Sequence, residues 1–365
     1  MKFVDEYRHG DLVKPLAERL RNTTITRPVR VMEVCGTHTM SIFRSGVRTI
    51  MPAGMEIVSG PGCPVCVTSA SHMDAFIEMA GKKDVRVAIY GDLFRVPGTH
   101  GSLAQASAKG ATVDIVYSAM DALERARQHP NELVVFLGVG FETTTPGIAA
   151  TIMAAARENI DNFCVFSTQK VIPGPLDALM QDPELSIDGL ICPGHVSAII
   201  GAKAYQPFVD SYGLACVVAG FEPADLLKAL LLLSEQINEG TPRVDNIYPR
   251  VVSWEGNQRA IAMMDEVFEP VDMQWRGLGV IPASGLGIRD TYRQFDAQKR
   301  LSITLPEAHE PKGCLCGKVL KGITTPPHCP LFGTRCTPAT PVGPCMVSSE
   351  GTCAAYHKYG QSESI

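Results

Sequence analysis

From about residue 28 the chain alternates short apolar runs with amphipathic stretches. "VRVMEV" (29–34), "MEIVSG" (55–60), "VRVAIYG" (85–91) and "TVDIVYS" (112–118) are β-branched runs that end in loops, the signature of short strands. Between them, stretches such as "ASHMDAFIEMAGK" (70–82) repeat apolar residues at three- and four-residue steps, which predicts helices. The pattern then restarts: "LVVFLGVGFETTTPG" (133–147), "NFCVFSTQKVIPG" (162–174), "IDGLICPGHVS" (187–197) and "LACVVAGFEP" (214–223) each open from a strand into a polar loop. Strands alternating with helices predict parallel sheets covered on both faces. The expectation is two similar Rossmann-like α/β domains, 28–128 and 129–240, facing a cleft. Beyond about 240 the periodicity fades to one predicted helix, "QRAIAMMDEVF", and a Gly- and Pro-rich remainder. Residues 241–365, with or without 1–27, are therefore expected to form a smaller third domain that relies on a metal centre to fold.

Composition narrows the function. The 365 residues carry a net charge of -5 with only 19% charged residues, which removes the basic face that nucleic acid binding needs. The densest apolar segment, 226–233, is short and interrupted by Lys228, so no membrane span is expected. The N-terminal stretch lacks the apolar core of a signal peptide, and the expected location is the cytoplasm. Twelve cysteines in a reducing compartment read as metal ligands or redox thiols rather than structural disulfides.

In open α/β sheets ligands bind beyond the carboxyl ends of the strands, where the chemistry-bearing loops of this chain all fall. No phosphate loop is among them. Cys35 in "CGTHT" ends an apolar run. It is either a core cysteine or a soft metal ligand or nucleophile, with His38 as ligand, base or orienting group. Cys63 and Cys66 in "GPGCPVC" form a C-x-x-C before a predicted helix, with Ser69 or Ser71 to cap it, a spacing suited to thiol–disulfide exchange. No second C-x-x-C completes a zinc site. Glu142, Glu222 and His195 are further cleft candidates, and Cys192 ends its strand. Cys164 and Cys216 sit inside apolar strands as packing residues. The last six cysteines follow C-x-C-x12-C-x6-C-x8-C-x7-C; zinc accounts for four of them, whereas a 4Fe-4S cluster with a neighbouring dithiol accounts for all six.

Taken in order, "EVCGTHT", "GPGCPVCV", "GFETT", "CPGHVS", "VAGFEP" and "CPLFG…C…MVSSEG.CAA" resemble the HypD family of NiFe-hydrogenase maturation factors over nearly the whole chain. The resemblance implies two α/β domains and an iron–sulfur domain. It also implies a complex with the chaperone HypC, delivery of cyanide from HypE, and assembly of an Fe(CN)2CO group. By motif, Cys35 would hold that iron, supported by His38, and Cys63 and Cys66 would form the central thiol pair. Cys316, Cys329, Cys336 and Cys353 would bind the cluster, leaving Cys314 and Cys345 as an extra redox dithiol. Such a protein would be a redox-active assembly scaffold rather than a conventional turnover enzyme. The rival reading is an iron–sulfur thiol–disulfide reductase acting on a protein partner, for which "CGTHT" has no use.

Overall fold

The computed structural model describes residues 5–308 and 310–360. The parts of the expected first-to-last ranges at 1–4, 309 and 361–365 lie outside the described residues. Eleven strands are described: β1 (Val29–Glu33), β2 (Met55–Ser59), β3 (Val85–Ile89), β4 (Thr112–Ile115), β5 (Leu133–Gly140), β6 (Phe163–Lys170), β7 (Gly189–Pro193), β8 (Ala215–Ala219), β9 (Val244–Asn246), β10 (Phe268–Trp275) and β11 (Gly279–Ile288). They form two sheets, ordered β2-β1-β7-β8-β9 and β10-β11-β6-β5-β3-β4. The first sheet is parallel throughout; the second is parallel from β6 to β4 and closed at its other side by the antiparallel β10–β11 hairpin. The mixed α/β class with Rossmann-like alternation of strand and helix is thus present.

The division of strands differs from the sequence expectation. The ranges 28–128 and 129–240 each give strands to both sheets, because β1 pairs with β7 rather than with β3. Local periodicity identifies strands but carries no information about which strand lies next to which. The range 241–365 is also divided: β9 joins the first sheet, and the hairpin pairs with β6 through Gly285 and Leu286. Gly and Pro interrupt the alternation that marks a strand here; Pro270 is tolerated on the edge strand β10 and Pro282 beside the irregularity in the β10–β11 register. The helix Gly10–Arg21 packs through Leu16 and Leu20 on Leu226, Leu227 and Leu230 of the helix Pro223–Glu239, not on the cysteine-rich tail.

The central strands are apolar on both faces, as helix-covered parallel strands must be. β5 is buried from Val134 to Gly140 and β6 along its whole length. One core cluster runs from Met32 and Val58 of the first sheet through Val135 and Phe166 of the second to Cys316 and Leu320 of the tail. The tail helix Thr352–Tyr359 is fixed to the helix Gly36–Arg44 by an edge-on contact of Tyr356 with Phe43, at 4.6 Å between ring centroids.

Lys170, at the end of β6, is 1% exposed, and its ammonium lies 5.6 Å from the centre of the Trp275 ring. Burial pushes its pKa down to about 7. The unfolded chain, with an ordinary lysine near about 10.4, then binds more protons between about pH 7 and about pH 10, so the stability contributed here rises with pH through that window. Lys170→Met is expected to stabilise the fold by an amount on the order of 4 kcal/mol at about pH 6, shrinking to a small remainder by about pH 10. Urea unfolding of both proteins at the two pH values measures it, and a gain independent of pH would contradict the assignment.

Candidate functional site

β1 delivers Cys35 in an extended conformation (φ -153°, ψ 122°) as the residue that precedes the helix Gly36–Arg44. Its backbone N–H donates to Oε2 of Glu33 at 3.1 Å, and the Thr39 hydroxyl donates to Oε1 of the same carboxylate. Glu33 is buried, and desolvation raises its pKa to about 7. Cys35 is 7% exposed. Burial, with the carboxylates of Glu350 and Glu33 adding, pushes its pKa up to about 12, although the amides of His38 and Thr37 act in the opposite sense. The amides at the helix start are thus outweighed, and the sulfur holds its proton until a soft cation competes for it.

The loop after β2 is bound to this turn by backbone. Gly36 N–H donates to the Gly62 carbonyl at 3.0 Å, and Gly60 N–H donates to the Glu33 carbonyl at 2.8 Å. Cys63 and Cys66 follow at once and are joined as a disulfide, with Cα atoms 5.2 Å apart and both residues buried. Ser69, not Ser71, caps the helix Ala70–Ala80 by accepting from His72 N–H.

A pocket of about 420 Å³ opens at the carboxyl ends of β1, β3, β5 and β7. Its wall includes Cys35, Thr37, Tyr90, Asp92, Thr144 and His195, together with Ser348 and Glu350 of the tail. Of the residues singled out in the sequence, Cys35 and His195 line it. His38 lies behind the wall, fully buried, with Nε2 3.0 Å from the Gly220 carbonyl. Facing an oxygen that only accepts, Nε2 must carry the proton, which leaves Nδ1 as a bare lone pair with no hydrogen-bond partner. Burial lowers this imidazole's pKa to about 4, so it is neutral at physiological pH. His38 and His195 both pack on Phe221, at 4.7 and 4.0 Å between centroids.

The other candidates are placed elsewhere. Cys192 is a fully buried free thiol inside β7, donating to the Leu190 carbonyl at 3.9 Å, and is not on the pocket wall. Glu142 is buried with Oε1 accepting from Ile172 N–H at 2.9 Å, and Glu222 pairs with Arg8 while capping the helix Pro223–Glu239. Cys164 and Cys216 are core residues. Asp92 and Glu350 were missed. The Asp92 carboxylate accepts from the hydroxyls of Ser348 and Ser349 and from Ser349 N–H, at 3.0–3.1 Å, while Glu350 accepts from the Thr37 hydroxyl. These bonds strap the tail across the mouth of the pocket. The signal was "SSEG", whose role is visible only when residues more than 250 positions apart meet.

All six tail cysteines line one small, partly enclosed cavity. All are free thiols: the sulfurs of Cys316 and Cys345 are 3.0 Å apart, Cys314 is also hydrogen-bonded to Cys316, and Cys345 to Cys353. Accepting from Cys314 and Cys345 drives the Cys316 pKa down, while the two donors are driven up. Among the described residues no group of three or more His, Cys, Asp or Glu is placed to hold a metal ion. The donor chemistry, six soft sulfurs around an apolar cavity without competing carboxylates on its wall, nevertheless fits a thiolate-ligated iron–sulfur cluster. The structure brings the six together without separating four from two.

Fold and site together define a thiol-rich α/β protein with one cysteine at a strand-end pocket, a buried C-x-x-C behind it and a six-cysteine tail strapped across it. The family model for HypD, described as "Hydrogenase formation hypA family", matches residues 11–360. The chain is 46% identical to the hydrogenase maturation factor HypD of Rhodobacter capsulatus, covering 99% of this chain and 98% of that one. It is 43% identical to HypD of Escherichia coli K12 over the whole of both chains, and 44% identical to the hydrogenase expression/formation protein HupD of Azotobacter chroococcum, covering 99% and 97%. The chain belongs to the HypD family of hydrogenase maturation factors. No helix among the described residues is long and apolar enough to cross a membrane.

Proposed function

We propose that this chain is the scaffold on which the Fe(CN)2CO group of a NiFe hydrogenase is assembled in the cytoplasm, together with a HypC-type chaperone and with cyanide delivered from HypE. The observation that carries the reading is the placement of Cys35: a lone sulfur on the wall of a strand-end pocket, with a neutral imidazole behind it and no second cysteine on that wall. One protein thiolate leaves the remaining positions of a ferrous iron to cyanide, carbonyl and a ligand from the partner. His38 supports the turn that presents Cys35. Cys63 and Cys66 serve as the thiol pair, and Cys314 and Cys345 as a second dithiol. A 4Fe-4S cluster on Cys316, Cys329, Cys336 and Cys353 would supply single electrons to the thiols around it.

Infrared spectroscopy of the anaerobically purified protein with its HypC-type partner tests this. Bands are expected in the cyanide and carbonyl stretching regions. A brown, iron-loaded complex with an empty spectrum would favour the second reading, a thiol–disulfide reductase, for which the closed Cys63–Cys66 pair is the supporting observation.

A further inference from the structure

The turn between β10 and β11 puts an arginine where no solvent reaches it. Arg276 is 2% exposed. Its backbone N–H donates to the Val67 carbonyl and its Nε to the Thr68 carbonyl, each at 2.9 Å, so it grips the two residues that follow Cys66. Nη1 pairs with Glu310, a carboxylate with 44% of its side chain exposed, while Nη2 is buried without any hydrogen-bond partner. On the other side the same turn meets the tail. A Cβ on Gly277 would lie 2.2 Å from the Cα of Gly317, so the two backbones are in contact directly beside Cys316. Gly277 also has φ +75°, a conformation that glycine adopts without strain.

A guanidinium cannot shed its proton to escape burial. A fixed positive charge, neutralised on one side by a half-exposed carboxylate, therefore stands between the C-x-x-C loop and the tail sulfurs, and in a low-dielectric interior such a charge favours added negative charge on its neighbours. Neither sulfur motif predicts it, because Arg276 lies some 200 residues from one and outside the cysteine run of the other.

We propose that Arg276 is a positioning residue that joins the Cys63–Cys66 loop to the cysteine tail and poises the Cys63–Cys66 couple toward its reduced form. The part of this that concerns the tail rests on its reading as an electron-carrying sulfur centre. The test equilibrates full-length protein anaerobically in dithiothreitol buffers. In this exchange, run at a pH where the thiols partly ionise, the Cys63–Cys66 bond breaks. One sulfur is released as a thiolate that the guanidinium charge favours and the other takes a hydrogen, while dithiothreitol closes to its cyclic disulfide and its second proton passes to the buffer. Alkylation and peptide mass spectrometry then give the dithiol fraction.

Arg276→Gln is expected to shift the equilibrium constant at least tenfold toward the disulfide, about 30 mV for a two-electron couple. Arg276→Lys, which keeps the charge, should stay within about threefold of wild type, whereas Glu310→Gln, which leaves the arginine less neutralised, should shift it about threefold or more toward the dithiol. Glu310 is exposed enough for its variant to fold even where Arg276→Gln does not. Superimposable titrations for Glu310→Gln and wild type overturn the proposal, as does an Arg276→Lys protein shifted as far as Arg276→Gln. Iron and acid-labile sulfide measured in the same wild-type sample decide the cluster reading separately, since the disulfide titration needs no cluster.

Discussion

Cys35→Ala is expected to yield a folded protein that still binds the proposed chaperone and carries no iron–cyanide group. The thiol makes no capping hydrogen bond, and the extended conformation and the N–H bond to Glu33 belong to the backbone, so alanine preserves the turn. Truncating a small side chain at the edge of the core costs about 1 kcal/mol, a shift of a few degrees in the melting temperature. The expected loss of function is total, because no other sulfur lies on the pocket wall to take over. Cys63 and Cys66 are buried off the wall, Cys192 is inside β7, and the six tail thiols belong to a separate cavity. Cys35→Ser should fail as well, since a hydroxyl is a hard donor with little affinity for a low-spin ferrous centre. Infrared bands of wild-type intensity in Cys35→Ala, with the thermal transition retained, would place the iron on another thiol and remove the proposed scaffold.

The elements that local chemistry dictates were readable from the chain. β-branched runs became strands, three- and four-residue apolar steps became helices, and the loops that carry "CGTHT", "GPGCPVC" and "CPGHVS" fall at strand ends, where parallel sheets expose their carboxyl termini. What escaped depends on contacts between distant residues. The order of strands placed β7 against β1 and β5 against β3, cutting across the apparent repeat. The β10–β11 hairpin was hidden because an edge hairpin needs neither continuous apolarity nor freedom from Gly and Pro. Within the site, Cys192 ends a strand in sequence yet faces the core, since the alternation of side chains turns it away from the pocket. Glu350 lies in "SSEG" and Asp92 in the loop after β3, but neither points to the pocket until the tail folds back across it.

The same dependence on close backbone contact makes Gly62→Ala one of the most disruptive single methyl groups in the molecule's functional region. An ideal Cβ at Gly62 would stand 2.2 Å from the backbone nitrogen of Cys35 and 2.4 Å from the carbonyl carbon of Val34. Neither atom belongs to a side chain that could rotate away. Relief requires separating the loop from β1, which breaks the bond from Gly36 N–H to the Gly62 carbonyl and moves Cys35 and the Cys63–Cys66 disulfide apart. The expected cost exceeds about 4 kcal/mol, in the range reserved for severe core strain. Gly147→Ala provides the contrast. That glycine lies in the helix Thr145–Arg157 with open space where its Cβ would stand, so the substitution should stabilise by about half a kcal/mol through helix propensity. Thermal unfolding of the two variants beside wild type reads both effects, and alkylation of Cys63 and Cys66 under mild reduction reports whether the loop has come away. A Gly62→Ala protein that melts with wild type would mean that the backbone of the C-x-x-C loop does not hold Cys35 in place.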